Sequence, residues 1–353
     1  MKHLKIFFLS HIRILFFTCC LLLFAGVTFS ASAKIVFRVD GDIYIMNDDG
    51  SGKRRLTRNT VSKDRHARWS PDGKKIVFTR YMDKKKILTS AELFIMNADG
   101  TDPQRITYNN VSDEFPSWSP DGKRIVFQSH VNERAKPGLY VIELATRNVT
   151  QLTGVKNELG SGVPDWSPDG TQIVYTKYIV NRDGNTHGHP HKNIYVMSAN
   201  GDDQRPFLPD PPANPDAFTA RFFPRWSADG QRFAFADCTY REKERTCRLT
   251  IARTDGRTQV IEDIYDRLGG NIIATVPCWI ENDRALLFAL KEDGNFNANY
   301  DIFRYEFRTR SLRQLTRDAR EEMDPDWIEG ALSVSPQGKL PTLWGEKKQD
   351  LSQ

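Results

Sequence analysis

The pentapeptide Trp-Ser-Pro-Asp-Gly stands at 69–73, 118–122 and 166–170 of this 353-residue chain and returns as Trp-Ser-Ala-Asp-Gly at 226–230. Two fainter copies begin at Trp279 and Trp327, so six tryptophans lie 49, 48, 60, 53 and 48 residues apart. A unit copied at this interval cannot bury its apolar face alone and has to pack against its own repeats, which confines the chain to propellers or solenoids.

The unit reads as strands. In Ser-Pro-Asp-Gly the proline presets φ, the aspartate offers a local acceptor and the glycine takes the left-handed position, the chemistry of a tight hairpin turn. Runs rich in β-branched and aromatic residues follow at 76–78, 125–127, 173–175, 233–235 and 286–288, with third strands at 43–46, 93–96, 139–142, 194–197, 249–252 and 302–305. Fourth strands end near Leu56, Ile106, Leu152, Phe207, Val260 and Leu315, and no 3.6-residue period runs through the repeats. The expectation is all-β: a single six-bladed β-propeller of four-stranded antiparallel blades over 34–330, followed by a tail at 331–353. The proline-rich stretch 206–224 is an insertion within one repeat and accounts for the 60-residue gap. The Trp327 strand lacks a following partner and the strand at 35–38 a preceding one, so pairing the amino-terminal and carboxy-terminal strands closes the ring. The alternative closure uses the tail, where 335–339 imitates the turn, but Pro341 would remove a ladder donor from that strand.

The order of tryptophan, Ser-Pro-Asp-Gly, strand, second strand ending in Met-Asn-Ala-Asp-Gly (96–100), then Arg-Leu-Thr (55–57) or Arg-Ile-Thr (105–107), resembles the repeat of TolB-type, WD-like propellers. The likeness spans nearly all of the chain beyond the first 33 residues, and is strongest in the first three turn motifs. The α/β domain that precedes the propeller in TolB is not expected here, where a targeting segment precedes the repeats. The repeat is also similar to that of propeller lyases acting on uronate oligosaccharides, some of which hold a metal with histidines.

The targeting segment carries Lys2, Lys5 and Arg13, an apolar run over 14–29 and Ala31-Ser32-Ala33, which reads as a signal peptide, 1–33, cleaved after Ala33. An uncleaved anchor is the alternative, although the run is shorter than the ~20 apolar residues of a spanning helix. Cleavage implies a periplasmic or secreted protein, monomeric and without stable membrane insertion. It also lowers the net charge from +5 to +2, so the pI near 8.8 is partly a property of the leader and points to no nucleic-acid partner. Beyond the leader, Cys238 ends one strand and Cys247 begins the next, an expected disulfide in an oxidising compartment; two free thiols are the alternative. Cys278 beside Trp279 reads as a buried thiol.

Turns after first and third strands share one face of a propeller, and the long, variable connections share the other, where binding residues concentrate on a rigid scaffold. Prolines at 116, 164, 224, 277 and 325 stand two residues before their tryptophans, which suits an edge strand lining the channel. Trp69, Trp118, Trp166, Trp226, Trp279 and Trp327 recur at one repeat position and read as blade core. The residues before them differ between blades. Asp64, His66, Asp113, Glu114, Asp165, Arg221, Arg225, Glu322, Asp324 and Asp326 are therefore candidates for a channel mouth that takes a polar ligand, a cation or a partner segment; solvated rim charges are the plain alternative.

His187, His189 and His191 alternate along one loop and can converge on a divalent metal, or simply form an exposed polar loop. No Gly-X-Ser-X-Gly nucleophile elbow and no phosphate-cradling loop appear, and acidic turn residues such as Asp72 and Asp121 are explained by turn chemistry. The expected function is a non-catalytic exported scaffold that binds a protein partner or cell-envelope polysaccharide through its long-loop face. The alternative is a metal-dependent, oligouronate-lyase-like enzyme using 187–191.

Overall fold

The structure, a computed structural model, describes residues 33–58, 63–83, 91–109, 111–130, 136–154, 160–179, 191–210, 217–241, 245–269, 272–292 and 298–329. All lie in one compact unit, 32–353. The described part of the chain opens with β1 (Lys34–Val39), β2 (Asp42–Asn47) and the short β3 (Arg54–Arg55). The first complete meander is β4 (Lys63–Trp69), β5 (Lys75–Tyr81), β6 (Ala91–Asn97) and β7 (Gln104–Arg105). The next is β8 (Asp113–Trp118), β9 (Arg124–His130), β10 (Pro137–Glu143) and β11 (Val149–Gln151), followed by β12 (Ser161–Trp166), β13 (Gln172–Ile179), β14 (His191–Ser198) and β15 (Arg205–Pro206). Then come β16 (Phe218–Trp226), β17 (Arg232–Tyr240), β18 (Arg245–Arg253) and β19 (Thr258–Val260), a helix α1 (Glu262–Leu268), and β20 (Ile272–Ile280), β21 (Ala285–Glu292), β22 (Asp301–Glu306) and β23 (Ser311–Gln314).

The last strand, β24 (Glu322–Ile328), lies antiparallel to β1, with Lys34 opposite Ile328 and Val39 opposite Glu322. The order β24-β1-β2-β3 completes the sixth blade, so the ring closes through its two terminal strands. Single parallel bridges, Lys192 to Ala220 and Cys247 to Ile273, tie three consecutive blades into one hydrogen-bonded array. Among the described residues no helix is long and apolar enough to cross a membrane.

The tryptophans explain how the blades cohere. Trp166 joins Ile173, Tyr175 and Met197 of its own blade to Val126, Leu139 and Val141 of the preceding one, and Trp69 does the same with Ile76 and Phe78 against Val36 and Ile43. The indoles of Trp118 and Trp279 donate across the same seam, to the carbonyls of Arg68 at 3.2 Å and Arg225 at 3.0 Å. Trp69, Trp166 and Trp279 are buried, and Trp118, Trp226 and Trp327 half-buried. Each such side chain removes ~150–250 Å² from water, worth at most about 4–6 kcal/mol.

The turn after each tryptophan is built as its residues dictate. Ser70 Oγ donates to Asp72 Oδ1 at 2.7 Å and accepts from Lys75 N at 2.9 Å, with Gly73 at φ +67°. Ser119, Ser167 and Ser227 pair with Asp121, Asp169 and Asp229 in the same way. In the degenerate fifth turn, Glu281, Asn282 and Asp283 all take positive φ, and the Asp283 carboxylate accepts from the Ala228 and Asp229 amides of the preceding turn.

The threonine of Arg-Leu-Thr also has a structural task. Thr57, Thr107, Thr153 and Thr316 turn their hydroxyls to the amides of Ile43, Leu93, Leu139 and Ile302, which open the neighbouring third strands. Where the threonine is missing, Asn193 Oδ1 accepts from Ile194 N, and in the blade of β18 the Tyr265 hydroxyl accepts from Leu249 N at 2.7 Å. Tyr265 belongs to α1, so the one short helix among the described residues supplies a cap that the repeat has lost. The 3.6-residue period of a seven-residue helix was too short to stand out from the strands around it.

Candidate functional site

The first strand of each blade is innermost, and all six bulge at the same place, three residues before the tryptophan. His66, Phe115, Val163, Phe223, Val276 and Asp324 sit there with φ between +51° and +56°. Left-handed backbone is costly for any residue with a Cβ, and most of all for valine. In return, the bulge turns these six side chains into the channel. His66 stacks on Phe115 at 3.9 Å between ring centroids, Phe115 approaches Phe223 at 6.2 Å, and the space left is about 20 Å³, room for roughly one water.

On the short-turn side of this constriction, the residues immediately before the tryptophans form a second layer. Arg68 reaches Asp165 at 2.6 Å and Asp326 at 3.1 Å, and Arg225 reaches Asp165 at 3.4 Å. The second oxygens of both carboxylates cap the next blade's tryptophan amide, Trp226 N to Asp165 at 3.0 Å and Trp69 N to Asp326 at 2.8 Å. Burial pushes the Asp165 carboxyl up to about 6 although Arg68 pulls it down, and raises Asp326 in the same manner. Burial also drives the Cys278 thiol well above its ordinary range. His66 is lowered to about 4, chiefly by desolvation, with Arg65 and Arg38 adding to it against Asp324.

The sequence candidates separate by position. Asp165, Arg225 and Asp326 belong to the paired layer that closes the channel, below the mouth where sequence placed them. Asp64, Asp113 and Glu322 are fully buried within their blades, engaged by Arg80, by Ser129 and Asn109, and by Lys53 respectively. Asp324 faces the channel and is held by Arg38 at 3.3 Å. Arg221 donates to Asn193 Oδ1 at 2.8 Å and Pro209 O at 2.9 Å. Glu114 stays at the long-loop side, where the Tyr81 hydroxyl donates to it and burial raises its pKa.

His187 and His189 lie outside the described residues. His191 opens β14, is buried, and its Nδ1 accepts from Thr219 N at 3.2 Å, a use within the β14–β16 junction. Among the described residues, no group of three or more histidines, cysteines or carboxylates is placed to hold a metal ion. Cys238 faces Cys247 across β17 and β18, and the two are joined in a disulfide.

Sequence reasoning missed Arg68 and Lys192. Arg68 was findable, since it occupies the same repeat position as Asp165, Arg225 and Asp326. Lys192 carried no motif; its ammonium lies 4.4 Å from the Tyr178 ring and 4.5 Å from that of Phe222, at the long-loop mouth.

A family model described as the Tricorn protease N-terminal beta propeller domain matches residues 28–161. No curated protein matches the chain. Similar solved structures include TolB from Acinetobacter baumannii, with a TM-score of 0.63 at 19% identity over 86% of this chain and 69% of that one. A putative TolB from Agrobacterium tumefaciens gives 0.52 at 18% identity over 65% and 76%, and a chain of a nidogen/laminin complex 0.59 at 12% over 84% and 98%. Likeness at such identities is likeness of fold, and by fold this chain is a TolB-like β-propeller.

Proposed function

We propose that this protein is a non-catalytic scaffold, exported to the periplasm or secreted, that binds a protein partner or a cell-envelope polymer on its long-loop face and at the channel mouth there. The observation that carries the reading is the contrast between the channel's two levels. The side chains of Arg68, Asp165, Arg225 and Asp326 are paired with one another across the channel, so the ring is plugged and does not act as a conduit. Above it the mouth offers aromatic faces and cations on strands too firmly packed to rearrange, an arrangement for recognition by a preformed surface.

Export is supported by the basic, apolar and small-residue order of 1–33 and by the Cys238–Cys247 bond, which persists in oxidising compartments. Similar propellers include one from a nidogen/laminin complex, so a ring of this kind can serve as a binding partner. The test is cross-linking of the full chain in envelope extract with residue mapping by mass spectrometry. Cross-links at lysines of the long-loop side, Lys63, Lys192 and Lys291, are expected; cross-links confined to the short-turn lysines Lys74, Lys75 and Lys123 would overturn the reading.

A further inference from the structure

We propose that the cavity at the short-turn mouth of the channel is the seat of the chain's own carboxy-terminal segment, residues 340–344, with the Trp344 indole filling it. It concerns the face opposite to the one proposed for partner binding and stands apart from that role.

One residue beyond the layer of Arg68 and Asp326, toward the short turns, Trp166, Trp226, Trp279 and Trp327 line a cavity of about 200 Å³ together with Pro168 and Ile280. Trp226 and Trp327 are only half-buried by the blades. The indole nitrogens of Trp166, Trp226 and Trp327 are buried, and that of Trp279 donates to Arg225 O, so the four indoles turn carbon toward the cavity. The carboxylate and the hydroxyl at its rim are engaged. Asp283 accepts from the Ala228 and Asp229 amides, and Ser227 Oγ donates to Asp229 and accepts from Arg232 N. Water in such a place gains few hydrogen bonds, and an aromatic occupant withdraws apolar surface from it. A cavity of about 150 Å³ admits a benzene ring, so one of about 200 Å³ suits a single indole.

The chain leaves β24 at this very mouth. Trp327 lines the cavity, Ile328 lies against the Gly73 turn of the neighbouring blade, and the described residues run to Glu329. Residues 330–353 lie outside the described residues and continue from that rim. Trp344 stands fifteen residues beyond Glu329, a tether that extends to ~50 Å and averages roughly 20 Å from end to end. It has only to return to the strand it left.

Composition selects 340–344 within that stretch. Six of the seven tryptophans hold the repeat position, and packing between blades accounts for them; Trp344 is the seventh and stands outside it. The segment is not needed as a strand, because β24-β1-β2-β3 already completes the closing blade. From Gly330 to Gly345 the one charge is Lys339, whereas 346–350 reads Glu-Lys-Lys-Gln-Asp, so Leu340, Leu343 and Trp344 form an apolar cluster ahead of a charged run. Leaving that cluster in water is unfavourable. A second copy carries the same segment, but a short tether presents the chain's own at an effective concentration on the order of millimolar. A charged ligand would give up its hydration against a wall of indole carbon.

The experiment uses the full chain carrying Trp344→p-benzoylphenylalanine, photolysed in a mixture of isotopically light and heavy molecules and mapped by mass spectrometry. Cross-links to Pro168, Ile280 and Trp327 within one molecule are expected. Links joining light to heavy molecules replace the chain's own tail with that of a second copy and overturn the assignment; links to the long-loop face, or to no fixed position, overturn it outright. A small apolar molecule released from the wild type on denaturation, one per chain, replaces the tail with that ligand. A second measurement is the anisotropy of a labelled peptide of sequence 339–345. Trp344→Ala lies beyond the blades and empties the cavity without touching the ring, so it should bind the peptide roughly tenfold more tightly than the wild type, the ratio for a tail seated about nine parts in ten. Equal binding by both, or none by the variant, overturns the inference. Ala228→Lys, on the exposed rim of the cavity, combined with Trp344→Ala should abolish peptide binding, and retained binding overturns the site.

Discussion

Arg68 Nη2 lies 2.6 Å from Asp165 Oδ1 although a whole blade, β8 to β11, stands between their strands in the ring. The same guanidinium holds Asp326 at 3.1 Å in the adjacent closing blade. One side chain therefore joins three first strands across the channel, where the backbone offers no hydrogen bond to do so.

Replacing Arg68 by methionine should leave Asp165 and Asp326 buried without their common cation. A broken buried pair costs about 3–5 kcal/mol. Urea denaturation of the variant measures it, and a loss under about 1 kcal/mol would show that the ring does not depend on this bridge.

Two channel groups should bend the pH dependence of stability in opposite senses. The folded value of His66, about 4, lies below its ordinary 6.5, so the unfolded chain binds the proton first and stability falls as pH drops from 6.5 toward 4. Asp165 has a folded value of about 6, above its ordinary 3.8, so the folded form holds the proton longer and stability falls as pH rises from 3.8 to 6, then levels. His66→Gln should therefore tilt the curve of unfolding free energy against pH downward with rising pH in this window, and Asp165→Asn should tilt it upward, each by about 1–3 kcal/mol in urea denaturation. Parallel curves for wild type and both variants would refute the assignment.

Thr153→Val should cost about 1–3 kcal/mol by leaving the Leu139 amide without its acceptor in a fully buried place. Thr146→Val, on the exposed turn, serves as the control and should change the denaturation midpoint little.

Reducing the Cys238–Cys247 bond, or replacing both residues with alanine, should lower stability by about 2–3 kcal/mol, the loop-entropy value for so short a closure. Calorimetry with and without reductant checks this; the alanine variant should be insensitive to reductant.

The blades were legible because the tryptophan and the turn after it repeat as letters. The amino-terminal closure followed from counting strands, since β24 and β1 each lacked one partner. The bulged ring was not legible: its six positions hold histidine, phenylalanine, valine and aspartate, none of which announces a positive φ, and Val163 and Val276 argue against one. The helix α1 escaped for its brevity. At the site, sequence found the polar residues but not their depth. Asp64, Asp113 and Asp165 look alike before a tryptophan, yet the first two are absorbed by their own blades and the third bridges the channel. Pairing across the ring depends on closure geometry that no local pattern encodes, which is why Arg68 and Lys192 stayed out of sight.

Closure by β24 on β1 also sets the order of assembly. Lys34 finds its neighbour Ile328 only after almost the entire repeat array has been synthesised, so the longest loop in the molecule is the last to shut. A nascent chain lacking β24 has five meanders but an open seam, with β1 exposing an unpaired edge. The ring is thus complete only once β24 has emerged, and a product truncated before it is left marked, by that edge, for aggregation or proteolysis.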